Sequence, residues 1–233
     1  MKDHFFLLFP LSLNVLLLLV TNSSSNSVIA GAPCADIHCL FLPYISSPAP
    51  VRINDYLVKG GIGQTLRVVG HVETTTLNAV YNVNIEMKVF DANDQLLTAT
   101  IGTTVFTATL AGQLNPFDFG VGVDESQVAR TEIEIVSWSL SSVENYYSAT
   151  IVMTDTLVTP TITYITTTIR NDHVQALLNI QAVAWSLDQT SCICAQPVVD
   201  YLAPGATSVF TSTVYVSPFG RPIKVAAQGV INP

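Results

Sequence analysis

The chain repeats itself. Ile53-Asn54-Asp55-Tyr56-Leu57-Val58 aligns with Met153-Thr154-Asp155-Thr156-Leu157-Val158 at an offset of 100. Gly70-His71-Val72-Glu73-Thr74 then meets Thr167-Thr168-Ile169-Arg170-Asn171 at an offset of 97, and Val89-Phe90-Asp91 meets Ser186-Leu187-Asp188 at the same offset. Further on, Leu110-Ala111-Gly112 stands against Leu202-Ala203-Pro204-Gly205, Phe117 against Phe210, and Ile133-Glu134-Ile135 against Ile223-Lys224-Val225. The common order carries more weight than any single match. Its shrinking offset is what a few loop deletions after a duplication leave behind. Whatever one half folds into, the other must fold into as well.

Each half reads as short strands between turn signals. The first has a leading segment at 51–58, then 66–73, 80–91, 95–109, 114–122 and 130–138; the second has 151–158, 161–170, 175–187, 193–201, 207–216 and 222–230. Asp91-Ala92-Asn93-Asp94, Gly112 and Pro204-Gly205 supply the breaks. Thr and Val, which suit a half-buried pleated surface, recur throughout. Helical periodicity is missing after residue 30, which leaves no room for the crossover helices of a parallel sheet. The expected fold is all-β: two tandem immunoglobulin-like antiparallel β-sandwich domains, 51–140 and 146–233, joined near Ser141-Ser142-Val143-Glu144-Asn145.

What precedes them is different in kind. The uncharged apolar run FFLLFPLSLNVLLLLV (5–20) is short for a membrane span and suits the hydrophobic helix of a secretory signal. Small residues at Val28-Ile29-Ala30 place cleavage after Ala30, giving a signal peptide at 1–30 and a linker at 31–50. Retention of the segment as an anchor is the alternative. The linker carries Cys34 and Cys39, and the second half carries Cys192 and Cys194. In an oxidising compartment four cysteines are most simply two disulfides, with the connectivity open. Cys192 and Cys194 in an extended strand would stand too far apart to bond and can pair only if the chain kinks. Four thiolates around zinc are the competing arrangement, although the spacings are unusual for it.

The motifs of the first half resemble those of the FxLYD domain, a small immunoglobulin-like sandwich of exported and cell-surface prokaryotic proteins. Gly70 and Val72 match its opening Gly-x-Val, with Thr74 where the family has Asn. Phe90-Asp91 sits on the namesake aromatic-Asp pair, and Gly112 and Phe117 match the closing turn and strand. The second half keeps Asn171, Asp188, Gly205 and Phe210 but has Thr167 and Leu187 where the Gly and the aromatic are expected. The resemblance implies a fold and an extracytoplasmic location, and no catalytic residues.

Candidate chemistry is sparse. Asp91-Ala92-Asn93-Asp94 has the acidic look of a calcium loop but lacks the central Gly and distal Glu, so a hairpin turn is the expected reading. His38, His71 and His173 are the histidines beyond the leader, and no Gly-x-Ser-x-Gly or His-Glu-x-x-His accompanies them. Trp185 is expected in a core and Trp138 in a more open place. A net charge of −8 without a Lys/Arg cluster argues against nucleic acid. The chain reads as a non-enzymatic binding module at the cell surface or envelope. No catalytic residue, metal, cofactor or membrane span after signal removal is expected, and the partner is an unknown protein or glycan. The alternative is a structural subunit that homo-oligomerises through strand edges. The uncharged segment Thr161-Ile162-Thr163-Tyr164-Ile165 is the candidate edge, or else a buried strand.

Overall fold

The computed structural model describes residues 50–60, 65–142, 144–160, 162–215 and 221–231; the expected signal, the linker, Cys34 and Cys39 lie outside them. The first half forms β1 (Val51–Gly60), β2 (Thr65–Thr74), β3 (Val80–Phe90), β4 (Leu96–Thr103), β5 (Ala108–Thr109), β6 (Asn115–Gly122) and β7 (Arg130–Ser139). The second forms β8 (Asn145–Ser148), β9 (Thr150–Val158), β10 (Thr163–Arg170), β11 (Leu177–Trp185), β12 (Gln196–Leu202), β13 (Thr207–Val214) and β14 (Lys224–Ile231). Sheet β1-β2-β6 and the sheet of β4 and β5, β3 and β7 enclose one core. Sheet β9-β10-β13 and sheet β12-β11-β14 enclose another. The named pairings are antiparallel, and β1, β2, β3, β4, β6 and β7 correspond in order to β9, β10, β11, β12, β13 and β14, with β5 and β8 peculiar to their own halves. The molecule is all-β, as the repeat required.

The duplication is also written in the backbone. Asn82 and Asn179, 97 residues apart, both take left-handed φ angles of 51° and 50°, each where the register of β3 or β11 shifts against its neighbour. Asn tolerates this conformation better than other residues with a Cβ. Gly112 and Gly205 match at φ 72° and 73°, each the third residue of a turn closed by Gln113 N–H on Leu110 O and by Ala206 N–H on Ala203 O. Pro204 before Gly205 is the pairing that such a turn favours.

Gly70 has a packing reason. It stands across from Phe117, and a Cβ there would lie 2.3 Å from the Phe117 ring and 2.7 Å from Tyr56 Cβ. The ring fills the space that glycine leaves, at the centre of a core with Val68, Val72, Ile85 and Met87. In the second half Thr167 faces Phe210, is fully buried, and hydrogen-bonds Thr154 at 3.3 Å.

Three expectations change. Segment 95–109 is broken after Thr103, because buried Asn115 accepts from Phe106 N–H at 3.0 Å and donates to the Phe106 and Ala108 carbonyls. The strand expected from 193 starts only at Gln196, since residues 186–195 leave the sheet to meet the first sandwich. Thr163-Tyr164-Ile165 lies in β10, which has partners on both sides and is no edge. The joining segment is also less slack than its composition suggests: β8 pairs with β14, Tyr147 opposite Gly229.

Gly70→Ala should cost about 1–3 kcal/mol, the usual range for overfilling a packed core. Gly122→Ala, where nothing lies within 4 Å, should stay within about 0.5 kcal/mol. Urea unfolding of both variants checks the contrast.

Candidate functional site

The acidic stretch 91–94 is a turn. Asp91 Oδ1 accepts from the N–H groups of Asn93 and Gln95, both at 2.8 Å, and Asp94 at φ 62° is held by Arg130. Arg130 also lies over the Phe90 ring, 3.9 Å from its centre, so the motif's aromatic-Asp pair is tied to β7. Asp188 does a different job from Asp91. Its carboxylate takes the Ser186 hydroxyl at 2.5 Å and Arg221 N–H at 2.9 Å within a long connection rather than a tight hairpin. Asn171 carries out in the second half what Thr74 does in the first. Each accepts the N–H two residues on, from His173 and Thr76, and so shapes its loop.

The long connection 186–195 is the main departure from the repeat, and it belongs to a junction that the sequence reading missed. Arg67 on β2 pairs with Asp118 on β6 through two guanidinium–carboxylate contacts at 2.6 and 2.5 Å. The same guanidinium donates to the carbonyls of Thr190 at 2.7 Å and Ser191 at 2.5 Å. Asp118 in turn accepts the N–H of Ile193 at 2.7 Å. Lys59 adds bonds to the carbonyls of Leu187 and Gln189. Two cations of the first sandwich thus satisfy carbonyls that have left the second sandwich's sheet, where unpaired they would be costly. Beneath them Val69 and Phe106 pack with Val183, Trp185, Leu187, Ile193 and Ala226 in a core of their own. Trp185 is 1% exposed and Trp138 40%, as their surroundings suggested.

His71 lies fully buried in this junction and does not correspond to His173, which sits in the loop after β10 with its ring against Tyr147. Lys224 Nζ meets His71 Nε2 at 3.1 Å, so the imidazole is the acceptor and must be neutral. Burial, and secondarily the Lys224 ammonium, push its pKa down to about 3. Burial also lowers Lys224, against the pull of Asp55 and Glu73. Gln113 completes the contact by donating to Ala227 O at 2.9 Å.

Residues 191–195 run outside any strand, and their bend brings Cys192 Sγ and Cys194 Sγ to 2.6 Å, the kink that pairing between them needs. Both cysteines are exposed. In the reduced pair, partial burial of the sulfur, then Cys194 and Asp118, push the Cys192 thiol up to about 11, the opposite of an activated nucleophile. Among the described residues no group of three or more His, Cys, Asp and Glu is placed to hold a metal ion.

In the second sandwich, β9 is the outer strand of its sheet and carries one charge, Asp155. Its counterpart β1 buries Val51, Ile53 and Tyr56, whereas β9 exposes Val152, Met153, Leu157 and Val158, Leu157 by 66%. Leu157 lies opposite Tyr164, itself exposed. Separately, a cleft of about 420 Å³ beside β8 is lined by Glu144, Tyr146, Asn179, Pro197 and Asp200 among others. No helix among the described residues is long and apolar enough to cross a membrane.

No family model and no curated protein matches the chain. Among solved structures, 39 chains match, including the crystal structure of red sea bream transglutaminase. That likeness has 8% identity and a TM-score of 0.28, over 79% of this chain. The chain spans only 29% of the transglutaminase, and nothing of that enzyme's chemistry transfers to it.

Two outcomes follow from the junction. Asp118→Ala leaves the Arg67 guanidinium without its carboxylate and the Ile193 N–H without its acceptor and should cost about 3 kcal/mol in urea unfolding, whereas Asp118→Asn, whose amide oxygen can still accept, should cost less. Well above pH 6.5 His71 carries no proton in either state. Below that the unfolded chain takes one up that the folded protein refuses down to about pH 3. Stability should therefore fall with falling pH, by up to about 1.4 kcal/mol per unit from this group. Unfolding midpoints for wild type and His71→Gln between pH 7 and 4 should diverge, the variant sloping less.

Proposed function

We propose that the protein is a non-enzymatic, extracytoplasmic interaction module: paired sandwiches present a strand edge to a protein or glycan at the cell surface or envelope. The observation that carries this reading is β9. Edge strands that must stay unpaired carry Lys, Pro or inward charges. From Met153 to Val158 this one carries only Asp155 and exposes apolar side chains on both faces. Such an edge accepts an added strand, main-chain bonds giving affinity and side chains giving selectivity. Export is supported by the apolar run at 5–20 with Val28-Ile29-Ala30 after it. The FxLYD-like motifs agree with both, since Gly70, Phe90-Asp91, Gly112 and Phe117 all have structural rather than chemical roles here. Membership of that family is itself part of the proposal.

A second reading rests on the same strand. An edge with one charge can pair with its own copy, and the protein would then be a structural subunit of a filament or layer.

A photo-crosslinking residue at position 157 in the full chain, activated on native cells, separates these outcomes. One defined protein or glycan, lost when Thr156→Lys is added, is the expected result. Crosslinks to a second copy, with sedimentation that rises with concentration, would favour the structural subunit. No crosslink in either setting would overturn both.

A further inference from the structure

Residues 186–195 of the second sandwich reach the first with alternating exposure: Cys192 and Cys194 face solvent while Ile193 between them is 3% exposed in the junction core. The Ile193 N–H is bound to Asp118, and the preceding carbonyls of Thr190 and Ser191 to Arg67. The loop is anchored on its own side as well. Thr190 N–H donates to Tyr215 O at 2.9 Å, and Gln189 bridges Ser186 N–H and Ser191 O. Such a loop holds the two sulfurs together from both flanks, at 2.6 Å.

We propose that Cys192 and Cys194 are a disulfide-forming pair, bonded to each other rather than to Cys34 or Cys39, and that the bond latches Ile193 into the junction between the sandwiches. Each thiol gives up a proton and the two sulfurs join, while the electron pair reduces a low-molecular-weight disulfide to two thiols. A ring that encloses a single residue constrains the unfolded chain little, so its effect on global stability is small. Its effect is local: it fixes the direction in which the chain enters and leaves Ile193. Because the bond is exposed, it is open to reduction by thiols, unlike a buried structural disulfide. The junction thereby becomes sensitive to the redox state of its surroundings.

The test uses the full chain incubated with oxidised glutathione, quenched with acid and an alkylating agent, and mapped by non-reducing peptide mass spectrometry. The expected product is a peptide with Cys192 and Cys194 joined, regaining two hydrogens on reduction. Linkage of either to Cys34 or Cys39, or alkylation of both, would overturn the pairing. Hydrogen exchange tests the latch. The Ile193 amide should exchange at least tenfold faster in the Cys192→Ser, Cys194→Ser double variant than in the oxidised protein, with the amides of β3 unchanged. Equal exchange at Ile193 in the two would overturn the latch even if the bond forms.

Discussion

The guanidinium of Arg67 joins what the duplication made as two. It sits between a carboxylate of its own sandwich and two carbonyls of the other, and Asp118 returns the contact by accepting Ile193 N–H. Little solvent reaches Asp118, whose side chain is 5% exposed, so the network works at a lower effective dielectric than a surface pair would. Losing one member leaves the others desolvated and unmatched. That asymmetry makes the junction specific: the sandwiches dock in the one arrangement in which Arg67 has all its acceptors.

Around this network the junction resembles a domain core more than a surface contact. Trp185, Phe106, Val69 and Ile193 supply apolar area, and His71 stays neutral against Lys224 because the site cannot hold a second charge. Two sandwiches on a slack linker would present their loops independently. Here β8 pairs within the second sheet directly after the first sandwich ends, and Arg67, Lys59 and the Trp185 core bring the two sandwiches into contact.

Much of the fold was legible because its determinants are local and duplicated. Alternation and turn residues placed the strands of both halves within a few residues, and the paired left-handed positions Gly112 and Gly205 fall where the aligned turns put them. The junction was not legible, although a signal existed. Val68-Val69-Gly70-His71-Val72 on β2, Ala182-Val183-Ala184-Trp185 on β11 and Ala226-Ala227-Gln228 on β14 are continuous buried runs. A sheet with one wet face alternates; a sheet covered on both faces does not. Those runs mark the strands that carry a second layer. The loop 186–195 lay beyond reach for another reason, since its conformation is dictated by cations more than a hundred residues away. β9 was illegible for a third reason: its apolar residues read like those of any strand, and only their exposure among the described residues distinguishes it.

A junction that holds the two sandwiches as a single rigid body gives them one common orientation in solution. Residual dipolar couplings of backbone amides, fitted separately for the described residues of 51–139 and 145–231, read that orientation. One shared alignment tensor, with the relative orientation seen here, is the predicted result. Two tensors of different magnitude would mean that the sandwiches move independently, and would contradict the account.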